Sequence, residues 1–267
     1  VVWGREPTFW YNLLSTNAMD SNSYDQIANE YRDSKQLDFR KYIEEYTLLQ
    51  LAGDITGLHL LDLACGEGIY TRKLKKQGAA SILGVDLSAR MIDLAEESER
   101  KEPLGCEYLV HDVLTLSHLG EYDIVVGMYL LNYAQAPEEL TQFCEVVYKH
   151  LKPGGRFIGF NDNPHNDSAH YAKYRKYGFV KETTENRIAG DFVKYRMFNL
   201  DGTEFSFDNF YFEPKMYADA FAKAGLNHFK WEGPLLHPEH HHPEKFGYWE
   251  DFMNHPPLIG FSAVKPG

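Results

Sequence analysis

The sequence predicts an α/β fold built on a doubly wound, mostly parallel sheet, and three observations carry that expectation. Short apolar runs alternate with amphipathic helical patterns through the first two thirds of the chain. The first apolar run ends in a glycine-containing turn that opens directly into a helix pattern. The length of 267 residues suits one α/β domain with added elements and buries enough surface to fold without covalent staples.

The elements follow in order. Ser23 opens SYDQIANEYRDSK, where Tyr24, Ile27, Ala28 and Tyr31 share one helical face, and a second helix is expected from Asp38 to Leu51. Leu58 to Ala64 reads as a buried strand, and Ile69 to Gln77 as a helix stopped by Gly78. Ser81 to Asp86 is the next strand, and Ser88 caps a helix running to Arg100. Cys106 to Val110 and Tyr122 to Met128 are strands three and four. Pro137 starts a helix with Glu138 and Glu139 in its first turn, and that helix ends near His150. Lys152 to Gly155 is a turn before the strand Arg156 to Phe160. The pattern then changes. Val193 to Phe212 alternates around the hairpin signal Asp201-Gly202. Pro214 begins a helix ending at Gly225, and Leu226 to Glu232 and Leu258 to Val264 are the last strands.

Composition bounds the function. Lys and Arg number 27 and Asp and Glu 39, a formal net charge of −12 that argues against a nucleic-acid partner. Cys65, Cys106 and Cys144 cannot build a disulfide framework, and no run of about 18 apolar residues exists, so a cytoplasmic protein with no membrane partner is expected. Residues 1–19 read in two ways: a tag or read-through ahead of Met19, or an arm whose aromatic residues dock on a domain spanning 20–267.

The sharpest signal is Asp62-Leu63-Ala64-Cys65-Gly66-Glu67-Gly68, between a strand and a helix. Gly66 and Gly68 let the backbone pass close to a ligand. Asp86 ends the second strand, where a carboxylate can accept both hydroxyls of a ribose, and Asp112 follows the third, within reach of an adenine amino group. The rival ligand is a dinucleotide, but Thr71 stands where its third glycine belongs, and Asp62 and Glu67 would repel a diphosphate. The loop is therefore aimed at a positively charged nucleoside.

These residues resemble the class I S-adenosylmethionine-dependent methyltransferases, from about Tyr24 to Phe160 and more loosely to Val264. Ala64 stands where that family often has glycine. The resemblance implies a Rossmann-like sheet of seven strands with N-terminal lid helices, and S-adenosyl-L-methionine as cofactor with S-adenosyl-L-homocysteine as product. It implies that Asp62 reaches the methionine amine, that Asp86 holds the ribose with Leu87 and Met91 beside it, and that Asp112 and Val113 clamp the adenine. Met128 then faces the cofactor. Tyr24 and Tyr31 resemble the lid of small-molecule enzymes, or simply pack their helix on the sheet. The opening SYDQIANEYRDSK, FRKYIEEYTLL and PPLIGFSAVK also resemble the toxoflavin-synthase-like group, which methylates ring nitrogens of an azapteridine.

The acceptor is accordingly expected to be a small planar heterocycle methylated on ring nitrogen, with a phenolic or carboxylate oxygen as the rival. A non-catalytic cofactor-binding scaffold is the alternative of another class. Tyr129, Asn132, Tyr133, Asn161, Asp162, His165 and Trp249 are candidates for positioning the substrate, and no catalytic base is assigned. Asn161 to Asp167 also reads as an ordinary polar turn. Residues 163–212 are expected to be an inserted substrate cap, or a surface for a second subunit, leaving monomer and homodimer both open. Residues 233–257 form a His- and Pro-rich loop that lies in solvent or borders the substrate. No metal site is assigned to it, because no helix sets the ligand spacing.

Overall fold

The structure, a computed structural model, describes residues 21–267, with side chains from Ile27 onward; the expectations for residues 1–19 and for the Tyr24 side chain lie outside that part. The chain opens with α1 (Ser21–Ser34), a π-helical stretch over Arg40–Glu45, and α2 (Tyr46–Ala52). Strand–helix alternation follows: β1 (His59–Leu63), α3 (Ile69–Lys76), β2 (Ser81–Asp86), α4 (Ala89–Lys101), β3 (Glu107–Val110), β4 (Tyr122–Met128), α5 (Pro137–His150) and β5 (Leu151–Asp162). Then come β6 (Phe179–Glu182), β7 (Phe192–Phe198), β8 (Glu204–Phe210), α6 (Pro214–Lys223), β9 (Asn227–Glu232), α7 (Pro243–Asn254) and β10 (Leu258–Val264).

Seven strands form one sheet in the order β3-β2-β1-β4-β5-β10-β9. The first five are parallel, and β10 runs antiparallel to both β5 and β9. Alternation along the strands separates two cores. Leu60, Ile124, Val126, Ile158 and Phe160 meet α2, α3 and α4 on one face, while Leu61, Leu63, Val125 and Phe157 meet α5 and α6 on the other. The crossover reverses between β1 and β4, so the carboxyl ends of β1, β2, β3 and β4 open onto one crevice.

Four local differences from the sequence reading have physical causes. The helix expected over Asp38 to Leu51 is divided, its first part wound as a π-helix in which Arg40 and Glu44 are both buried. The KPGG segment joins β5, with the Gly154 amide bonded to the Lys265 carbonyl at 2.9 Å. Tyr171, Tyr174 and Tyr177 lie in 3₁₀ turns over Ser168–Tyr177; side chains three apart eclipse there, so all three reach the core together. The segment 233–257 is only half loop. Pro243 sits in the first turn of α7, where its missing N–H costs nothing, and α7 buries Trp249 and Phe252 completely.

The block 163–212 forms those 3₁₀ turns and a separate three-stranded sheet, β6-β7-β8. Its aromatic side chains continue the core of the main sheet: Phe39 meets Phe179 at 5.0 Å between ring centres, and Tyr195 stacks on Phe207 at 5.2 Å.

Candidate active site

The loop between β1 and α3 bends through left-handed backbone at Ala64, Gly66 and Gly68, with φ of 58°, 56° and 73°. The Gly66 amide donates to Asp86 Oδ2 at 2.7 Å, and the Ser88 amide to Asp86 Oδ1 at 2.9 Å. The carboxylate at the end of β2 thus fixes the glycine loop while facing the crevice. Gly68 has a different part from the one expected. It does not line the cavity, and a Cβ there would lie 2.5 Å from the Tyr108 hydroxyl, so the glycine admits that ring.

Thr71, in place of a third glycine, is fully buried and donates to Asp62 Oδ2 at 2.6 Å. Asp62 Oδ1 and Glu67 Oε1 are buried with no hydrogen-bond partner among the described residues. Burial, above all, raises the Asp62 pKa from 3.8 to about 7; the Thr71 bond opposes the shift and the nearby Asp86 adds to it. Two unpaired acidic oxygens lining one cavity fit a ligand that offers an ammonium group, as the amino-acid end of S-adenosylmethionine does.

The cavity between these groups has a volume of about 240 Å³. Asp62, Ala64, Gly66 and Asp86 line one end. Leu87, Met91, Asp112 and Val113 line the region beyond β2 and β3, where the Leu114 amide donates to Asp112 Oδ1 at 2.9 Å. Met128 and Tyr31 also line the cavity. Lys35 and Tyr70 line it as well, and the sequence reading did not single them out. Lys35 stands just past the end of α1 and Tyr70 lies in α3, so residue spacing alone points to neither.

A second, smaller chamber of about 20 Å³ adjoins the first, with Tyr31, Tyr129 and Tyr133 lining both. Asn132, Arg40, Tyr195 and Asn209 supply its polar groups, and Phe39, Phe179 and Phe207 its apolar wall. Tyr129 has a left-handed backbone, φ 67°, immediately after β4. Its hydroxyl donates to Glu44 and accepts from Arg40 Nη1 at 3.1 Å. Glu44, fully buried, also accepts from Tyr70 and pairs with Arg40 at 2.6 Å.

The structure brings Tyr129, Asn132 and Tyr133 together at this chamber, with Asp162 behind them: Asp162 accepts from the Tyr195 hydroxyl and pairs with the buried Lys181 at 2.6 Å. It does not bring the other three candidates there. Alternation along β5 turns Asn161 to the opposite face, where its amide reaches the Tyr217 hydroxyl at 3.3 Å. His165 is exposed, edge-on to Trp231. Trp249 is core, stacked on Tyr177, with its indole N–H donating to His240 Nδ1 at 2.9 Å. Sequence reasoning passed over Arg40, Glu44, Tyr195 and Asn209, whose meeting depends on long-range packing. Among the described residues no group of three or more His, Cys, Asp or Glu is placed to hold a metal, and no helix is long and apolar enough to cross a membrane.

Comparison with known proteins agrees with this geometry. Residues 60–155 match the family described as Methyltransferase domain. The ubiquinone biosynthesis O-methyltransferase of Coxiella burnetii is 32% identical over 119 residues, 44% of this chain and 47% of that protein. The chain thus matches about half the length of such curated relatives. In fold, it is similar to the CcbJ methyltransferase of Streptomyces caelestis, with a TM-score of 0.63 at 18% identity over 93% of this chain and 100% of that one. An S-adenosylmethionine-dependent methyltransferase of Clostridium acetobutylicum gives 0.60 at 19% identity, over 92% and 100%. The seven-stranded order, the acidic strand ends and the matched segment point the same way: residues 60–155 match a methyltransferase domain, set in a fold shared with S-adenosylmethionine-dependent methyltransferases.

Proposed function

We propose that this protein transfers a methyl group from S-adenosyl-L-methionine, in line, to a ring nitrogen of a small planar heterocycle. The observation that carries this reading is the chamber of aromatic and amide side chains that shares a wall with the acid-lined cavity. When bound, the cofactor supplies an electrophilic methyl group on a sulfonium, so the protein's part is to align the reactants and exclude water. In this reading Asp62 takes the ammonium of the cofactor and Lys35 its carboxylate. Asp86 accepts from the ribose hydroxyls, while Asp112 and Val113 flank the adenine beside Leu87 and Met91. Tyr129 and Tyr133 hold the acceptor ring against the methyl position, and the 163–212 block roofs it. Asn132 fixes the ring's rotation.

Oxygen is the second reading, and the name of the Coxiella burnetii relative favours it. Incubation with labelled cofactor and a panel of azapteridines, pyrimidines, catechols and small amines, read by mass spectrometry, separates the two. Gain of one methyl on ring nitrogen is the expected result. Turnover of catechols with no nitrogen product replaces it with the oxygen reading, and methylation of bulk tRNA overturns a small-molecule acceptor altogether.

A further inference from the structure

We propose that Arg40 and Asn132 form a two-donor seat for a negatively charged oxygen, so that the acceptor is a planar ring bearing a phenolate-type, enolate-type or carboxylate oxygen. The inference rests on the methyl-transfer reading above and names the acceptor's class within it.

Asn132 is 1% exposed, and its Oδ1 accepts from the Asp162 amide at 3.2 Å. That bond fixes which end of the amide is oxygen, since a backbone N–H can only donate. The other end, Nδ2, is then a buried donor with no partner among the described residues. Arg40 is 5% exposed. Its Nη1 serves Glu44 and the Tyr129 hydroxyl, while its Nε is likewise buried and unpartnered among the described residues. The two donors come from chain segments far apart in sequence, and both side chains line the same chamber.

Buried donors are almost always satisfied, so two of them on one chamber call for an acceptor atom inside it. The guanidinium keeps its charge at any working pH, which selects an anionic oxygen over a neutral one. Size agrees. About 20 Å³ holds one oxygen-sized group and no ring. The oxygen end of the acceptor enters, and its ring lies against Tyr129 and Tyr133, which also line the larger cavity. Phe39, Phe179 and Phe207 give the two donors an apolar surround.

The test compares rings that differ only in the oxygen. Binding of quinoline-4-carboxylate against quinoline, and of pteridine-2,4-dione against pteridine, is measured by ligand-observed NMR with S-adenosylhomocysteine present, at a pH where both oxygen-bearing members are anions. In the unaltered protein the oxygen-bearing member should bind about tenfold tighter or better, the scale of a charge-assisted hydrogen bond. Asn132→Asp keeps an acceptor for the Asp162 amide but puts a negative charge where the donor stands. Arg40→Lys keeps the cation beside Glu44 and removes Nε. Each should bring the preference close to one and leave S-adenosylhomocysteine affinity unchanged. No preference in the unaltered protein, including no binding of either oxygen-bearing probe, overturns the seat and leaves a buried water as its occupant. So does a preference that survives in both variants. If a variant misfolds, the comparison in the unaltered protein still decides. Failure of the unaltered protein to bind S-adenosylhomocysteine strikes the methyltransferase reading instead.

Discussion

The acid-lined cavity and the aromatic chamber share a wall but are assembled by opposite routes. The cavity takes its working groups from the ends of consecutive strands, Asp62, Asp86 and Asp112, each held by hydrogen bonds to groups in its own or the neighbouring strand–helix unit. The chamber draws on the π-helical turn at Arg40, the residues after β4, and the β6–β8 sheet at Phe179, Tyr195 and Phe207. One is a local motif repeated along a parallel sheet; the other exists only after the whole chain has folded. A site of the first kind can be read from residue spacing, and a site of the second kind cannot.

The largest expected effect tests whether the cap is as integral as its packing indicates. Trp249→Ala removes a fully buried ring stacked on Tyr177 and should cost about 3–5 kcal/mol. Thermal unfolding should remain a single transition. Early separate melting of the cap would show that the two regions are independent units.

Asp62→Asn sharpens the contrast from the other side. The folded pKa of about 7 stands above the 3.8 of an unburied carboxyl, so burying the charge destabilises the ligand-free fold. That cost is absent below the lower value, grows between the two, and is complete above the higher one. At about pH 8 the variant should therefore be more stable without ligand, by at most about 4 kcal/mol, while S-adenosylhomocysteine binds about a hundredfold more weakly. Calorimetry reads both quantities. Lower ligand-free stability together with unchanged affinity would remove Asp62 from the cofactor site.

The same ionisation predicts that cofactor affinity in the unaltered protein falls below about pH 7, by up to about tenfold per unit, as Asp62 takes up a proton. The variant's affinity should lose this slope. The smallest effect belongs to the chamber. Tyr133→Ala should raise the acceptor KM by about tenfold and leave cofactor affinity intact, and Tyr133→Phe should change either by no more than about threefold. Loss of both affinities in the alanine variant would make Tyr133 part of the cofactor wall.

The strand–helix alternation, the glycine loop and the three acidic strand ends are legible in the sequence because each rests on patterning within a few residues. Thr71 was noticed as a departure, but its hydrogen bond to Asp62 needed coordinates. Asn161 was placed with the acceptor groups because proximity in sequence says nothing about which face of β5 a side chain takes at the strand's end. Trp249 was read beside a loop because the prolines around it suggested irregular chain, whereas Pro243 starts a helix. Arg40 lies inside an ordinary helical pattern, where its i,i+4 spacing puts it on one face with Glu44, but that this face meets Tyr129 and Tyr70 in the interior depends on packing of distant segments.

Tyr129 carries a further consequence, for how this site can change by mutation. Its backbone conformation is one that glycine or asparagine adopts cheaply, while its ring and hydroxyl are what divide the two cavities. The position is held by two demands that favour different residues, so replacement there sacrifices one of them. Asn132, Tyr195 and Asn209 line the chamber without a left-handed backbone. A laboratory lineage selected for new acceptors should accumulate its changes at those three positions and leave Tyr129 in place.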